Sequence, residues 1–238
     1  MAKAFSDWKV LSHGPIEKLS SNLWWVQGSL PGMSLKRVMT IVRLNDGRLV
    51  VHNGIALEEA AMKDIESWGT PAFLLVPNGG HRLDAPAYKK RYPAMRVFAP
   101  KGSRARVEEV VPVDGSYEDF PQSDEVRLET LPGVADSEGA MFVRSSDGVT
   151  VVLNDAVFNM DRKHDPLGFL FTTLLGSAPG PRVSWLAKLM FIKDKPALRG
   201  YLVRLAETPE LTRLIVAHEK VAKGSDAPAA LRKAATFL

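Results

Sequence analysis

Residues 72–93 read AFLLVPNGGHRLDAPAYKKRYP. Ala72–Val76 is an unbroken apolar run ended by Pro77, the signature of a strand buried on both faces. Gly79-Gly80 then turns the chain, His81 follows, and a helix is expected after it. Pro86 suits that helix's first turn, and Pro93 ends it. A buried strand, a tight turn and a helix make one β-to-α unit. In an open sheet, ligands gather at the end of such a strand.

Outward from this unit the first half is β-rich. Leu23–Gly28 (LWWVQG) and Arg37–Leu44 (RVMTIVRL) are aromatic and β-branched runs. The second should pair with RLVVHNG through Asn45-Asp46-Gly47, a strong hairpin signal. A helix is expected in ALEEAAMKDIESWG, ending at Gly69 and burying Ala60, Ile65 and Trp68. MRVFAP reads as the next short strand. The second half repeats the theme. VRLETLPG is a strand, AMFVRSSDGVTVVLND a hairpin turning at Ser146-Asp147-Gly148, and LTRLIVAH a late strand. Helices are expected over KPALRGYLVRLAE, with Pro196 near its start, and from Ser225/Asp226 onward. Two such halves predict an α+β fold, a four-layer αββα sandwich, in one domain over residues 1–238. A helical and loop insertion is expected at about residues 160–196. Its apolar part, 167–192, is broken by Gly-Ser-Ala-Pro-Gly-Pro and is too short on either side to span a bilayer. Buried helices or a lid over the site are expected there, with a homodimer contact or a membrane-surface contact as alternatives.

The 238 residues are 45% hydrophobic and 24% charged, ample for a core without disulfides. The chain has no cysteine, which excludes disulfides, thiolate metal sites and cysteine nucleophiles. That composition fits a cytoplasmic protein, and no transmembrane segment is expected. The net charge of +4 is scattered, so a nucleic-acid partner is not expected. PNGGH lacks the spacing and lysine of a phosphate-binding loop, and there is no G-x-S-x-G elbow.

Of five histidines, His52, His81 and His218 stand at or just beyond strand ends, as does Asp155 in VVLND. Imidazoles and a carboxylate at one sheet edge suit zinc, manganese or iron. His52, Asn53, Asn78, Arg82 and Asp84, with Tyr88, flank the same edge and are candidates to line a pocket for a small-molecule ligand.

The pattern of LVVHNGIAL, WGTPAFLLVPNGGH and APAYKKRYPAMRVFAPKG, with LETLPGVADSEGAMFV, GVTVVLNDAVF and LIVAH, resembles the metallo-β-lactamase-like superfamily. Within it the chain is most similar to a divergent branch of unknown function in which most metal ligands are lost. The resemblance runs in order over roughly residues 20–220, with a gap at Leu167–Lys195. It implies the metallo-β-lactamase-like fold. Active members carry an H-x-H-x-D-H loop, and its four ligand positions fall on Val76, Asn78, Gly80 and His81. Their Pro-Gly-His segment corresponds to LPGVAD, with Val134 at the histidine. Asp155 matches the bridging aspartate and His218 the final histidine. The resemblance therefore implies loss of the dinuclear centre, because a hydrolytic pair of ions needs ligands at both sites. The leading expectation is a degenerate, non-hydrolytic binding or scaffold protein without a cofactor. The alternative is a mononuclear metal-dependent hydrolase holding one Zn, Mn or Fe ion on His81, Asp155 and His218.

Overall fold

The structure, a computed structural model, describes residues 3–238. The first half opens as an antiparallel meander of β1 (Glu17–Ser20), β2 (Leu23–Leu30), β3 (Met33–Arg43) and β4 (Arg48–His52). The expected hairpin joins β3 to β4: Leu44 N–H donates to the Arg48 carbonyl at 2.8 Å, and Gly47 has φ 85°. Glycine meets no Cβ penalty in that left-handed region. The chain continues through α1 (Glu59–Trp68), β5 (Thr70–Leu75), α2 (Ala85–Arg91) and β6 (Arg96–Phe98), with β4, β5 and β6 parallel.

After α3 (Arg104–Glu108) a second sheet forms from β7 (Val126–Thr130), β8 (Gly139–Ser145) and β9 (Gly148–Val152), all antiparallel. There follow α4 (Pro166–Phe169), α5 (Trp185–Met190) and α6 (Lys195–Leu205). β10 (Leu211–Ile215) then pairs parallel with β9, and β11 (Ala222–Lys223) antiparallel with β10, before α7 (Asp226–Ala235). The strand orders are β1-β2-β3-β4-β5-β6 and β11-β10-β9-β8-β7.

The two sheets face each other, as the side-chain alternation of β5 demonstrates. Phe73 and Leu75 point between the sheets, among Val38, Val50, Met141 and Ile215, whereas Leu74 and Val76 point to the helices. Met62 of α1 and Tyr88 of α2 cover the first sheet's outer face. Leu198, Leu202 and Leu205 of α6, with Leu231 and Ala234 of α7, cover that of the second. Each fully buried side chain of this size contributes about 1.5–3 kcal/mol. Helix α1 differs in one respect from expectation. Met62 and Ile65 are buried and Trp68 stacks on Trp24 with ring centroids 3.8 Å apart, but Ala60 is exposed. At 3.6 residues per turn Ala60 lies about 200° round the helix from Met62.

The apolar segment after β9 does not form buried helices. Asp165 and Ser184 cap α4 and α5 by accepting from Gly168 N–H and Ala187 N–H, both at 3.0 Å. Between them Leu170–Leu174 makes a single wide turn. The interruptions keep each piece too short to bury a full face. Phe158, Met160, Ala178 and Leu35 form a small separate cluster beneath the segment, with Phe171 packed on it. Among the described residues no helix is long and apolar enough to cross a membrane.

Candidate metal centre

The parallel strands of both sheets end at one edge of the sandwich. β4 ends at His52, β5 leads into the Val76–Asp84 loop, β9 into Leu153-Asn154-Asp155, and β10 into Val216-Ala217-His218. A hydrogen bond from Val38 N–H to the Ala217 carbonyl, at 2.9 Å, ties the last of these to β3.

In the opening loop Asn78 sets the geometry. Its Oδ1 accepts from Gly80 N–H at 2.7 Å and His81 N–H at 3.0 Å, a turn that asparagine favours. Its Nδ2 donates to Asp155 Oδ2 at 2.9 Å and to Glu138 Oε1 at 2.6 Å. One amide thus bends the loop and holds one oxygen of Asp155. The other, Oδ1, lies 3.1 Å from His81 Nε2 and 3.4 Å from His218 Nε2. Side-chain exposure falls from 21% at Asp155 to 12% at His81 and 6% at His218, so the cluster is reachable from one side.

His218 is positioned from behind. Its Nδ1 is 2.6 Å from the Lys36 carbonyl, which can only accept, so Nδ1 carries a proton. Neutral His218 then turns a bare Nε2 toward the bare Oδ1 of Asp155. Two lone pairs facing each other require a proton or a cation between them, and a carbonyl behind the imidazole is the usual arrangement for a metal-ligating histidine. The ring is walled by Phe158, stacked at 5.6 Å and 15°, and by Phe171 at 6.2 Å.

Burial opposes ionisation of Asp155, but its two imidazole neighbours, His81 first, outweigh it and hold the carboxyl well below the usual carboxylate range. Beneath it Glu138, 1% exposed, accepts from Asp155 N–H at 3.1 Å and Ala156 N–H at 2.8 Å. Burial, then the charge of Asp155, pushes the Glu138 carboxyl up to about 8 against those donors. His52 is pushed down to about 3, chiefly by burial and then by His81. It therefore stands as a neutral imidazole in the wall.

Among the described residues, His81, Asp155 and His218 are the one group of three or more His, Cys, Asp or Glu whose ligand atoms all come within 4.8 Å of one another. Asn78 and His52 adjoin it. Asn53 is buried with φ 57° and donates from Nδ2 to the Val38 carbonyl at 2.7 Å, bracing β3. Arg82 turns to α3, pairing with Glu109 at 2.7 Å, and Asp84 pairs with Arg37 in the interior. Val76 and Val134 are both buried in apolar clusters, one on each outer sheet face, and offer no donor to an ion. A cleft of about 390 Å³ lies elsewhere, lined by Glu118, Glu129, Tyr201 and Arg204. Glu138 is the residue that strand-end reasoning misses. It comes from a loop where Ala135 and Asp136 adopt φ 50° and 53°, and no periodicity marks it.

No family model and no curated protein matches this chain. Solved structures do. The DIM-1 metallo-beta-lactamase exposed to ceftazidime superposes with a TM-score of 0.63 at 12% identity, over 96% of this chain and 98% of the other. The FIM-1 metallo-beta-lactamase of Pseudomonas aeruginosa in its mono-zinc form gives 0.61 at 10% identity, over 98% of each chain. The chain thus has the α+β, αββα fold of the metallo-β-lactamases.

Proposed function

We propose that on this fold the chain carries a single-ion site, His81, Asp155 and His218 holding one divalent cation for hydrolytic chemistry. The observation supporting it is the meeting of two Nε2 atoms on one carboxylate oxygen, with His218 Nδ1 already committed to the Lys36 carbonyl. Two imidazoles and a carboxylate fit zinc, manganese or iron, and leave positions open for water and substrate. When bound, such an ion supplies Lewis acidity and water activation. The chain's own residues do the rest of the positioning. The Asn78 turn aims His81, the Asn78 amide holds Asp155 Oδ2 so that Oδ1 faces the imidazoles, and Phe158 and Phe171 limit water around His218. We take residues 1–238 as one domain and the protein as cytoplasmic, the latter supported by the lack of cysteine.

A second reading is a binding or scaffold protein without hydrolytic activity. The apolar packing of Val76 and Val134 favours it, because those positions contribute nothing to a two-ion centre. Elemental analysis of untagged protein, followed by titration with Zn, Mn and Fe, separates the two. About one ion per chain, lost in the His81→Ala/His218→Ala double variant, is expected. Folded wild-type protein that takes up none of the three supports the second reading and removes the first.

A further inference from the structure

Eight large hydrophobic side chains are exposed among the described residues, and seven of them lie between Leu167 and Met190. They are Leu167, Phe169, Leu170, Leu174, Trp185, Leu189 and Met190, the extreme being Leu189 at 79% exposure. The two halves of the segment touch. Trp185 N–H donates to the Leu175 carbonyl at 3.0 Å, and the Trp185 ring packs on Gly176. Trp185 and Leu189 are four residues apart on α5 and so share one face. A concentration of this kind marks a surface meant to be covered.

Its charges indicate by what. Between Pro166 and Lys193 the chain has Arg182, Lys188 and Lys193 and no Asp or Glu. The nearest acids at either end are engaged: Asp165 caps α4, and Asp194 caps α6 by accepting from Ala197 N–H at 2.9 Å. Lys188 Nζ sits 4.3 Å over the Trp185 ring. Its ammonium is pushed down by burial and by the neighbouring cations Lys195 and Arg182. A second copy of the chain joined by a two-fold axis would press this patch on itself, cation against cation with no acid to answer. An anionic lipid surface answers both properties, since apolar side chains enter the acyl boundary while lysines meet the headgroups.

We infer that the Pro166–Lys193 segment docks the protein on an anionic membrane surface, inserting Leu170, Leu174, Trp185 and Leu189 and placing Lys188 and Lys193 at the headgroups. Binding through such a surface segment is peripheral; among the described residues no helix is long and apolar enough to cross a membrane. The same wide turn carries Phe171 against His218, so the docking face and the candidate centre share a wall.

The test is co-sedimentation with vesicles of phosphatidylcholine alone and with vesicles of about three parts phosphatidylcholine to one part phosphatidylserine. Wild-type protein is expected to pellet with the anionic vesicles, less so as salt rises, with a blue shift in tryptophan emission. Trp185→Ser/Leu189→Ser should weaken that binding at least about tenfold, and Lys188→Gln/Lys193→Gln should remove the preference for anionic lipid. These positions are on the surface, so melting temperatures should be unchanged. Quenching of wild-type tryptophan by brominated lipid is the check that needs no variant. Wild-type protein that stays in the supernatant with both vesicles overturns the inference. So does binding indifferent to both double variants, or a dimer in sedimentation equilibrium that Trp185→Ser/Leu189→Ser dissociates. None of these readouts involves metal.

Discussion

His218 Nε2 faces Asp155 Oδ1 at 3.4 Å while the opposite nitrogen of the same ring is held by the Lys36 carbonyl. The contact is repulsive for a neutral imidazole and a carboxylate and becomes attractive when a cation enters. Saturating zinc at about 100 times its dissociation constant should therefore stabilise the protein by about 2.7 kcal/mol. In a chain of this length that is a rise in melting temperature of roughly 5–10 °C. Differential scanning fluorimetry checks this, and in Asp155→Ala the rise should vanish.

Asn78 makes four hydrogen bonds that no apolar residue replaces. Asn78→Ala leaves the Gly80 N–H unpaired, leaves the His81 N–H only its 3.3 Å bond to the residue-78 carbonyl, and sets Glu138 beside Asp155 without the amide between them. A loss of about 2–3 kcal/mol is expected in urea unfolding. Ion affinity should fall about 10- to 100-fold, since His81 loses its aim.

Arg37 and Asp84 form an ion pair sealed in the interior, with side-chain exposures of 3% and 0%. Burial raises the Asp84 carboxyl, and Arg37 with the Ala56 N–H only partly pulls it back. Asp84→Leu strands the guanidinium and should cost about 3–5 kcal/mol, whereas Arg37→Met/Asp84→Leu should recover most of that loss. Equilibrium unfolding of the two variants makes the comparison.

Asp147, at the β8–β9 turn, accepts from Arg213 of β10, which also donates to the Leu19 carbonyl at 3.0 Å. The Arg213 hydrogen bond holds the Asp147 carboxyl below its usual value. A depressed acid stabilises the fold above its unfolded pKa and loses that contribution as pH falls through the folded one. With Asp147 nearly half exposed, Asp147→Asn should cost no more than about 1 kcal/mol at neutral pH. The difference from wild type should shrink to nothing in strongly acidic solution, as unfolding curves at both ends of the range will reveal.

The hairpin at Asn45-Asp46-Gly47 and the two-sided burial of β5 were legible because turn chemistry and an unbroken apolar run are local signals. The convergence of His81, Asp155 and His218 was foreshadowed too, because each lies in the loop that follows a strand, β5, β9 and β10 respectively. Glu138 was not, since its role depends on a loop folded by left-handed residues and on Asn78 arriving from the other half of the chain. Arg82 and Asp84 sit in sequence beside the site but turn to Glu109 and Arg37, partners that periodicity does not reveal. The exposure of Leu167–Met190 escaped for a different reason. Apolar composition alone reads as burial, and only the breaks at Gly176 and the prolines that follow keep the segment from forming a helix long enough to bury.

The most direct measurement is anomalous scattering at the zinc edge from crystals soaked in zinc. One peak within bonding reach of His81 Nε2, Asp155 Oδ1 and His218 Nε2, absent in His81→Ala/His218→Ala crystals, is the expected result. No peak among those three atoms at saturating zinc, in crystals that diffract and hold the fold, would contradict the single-ion site.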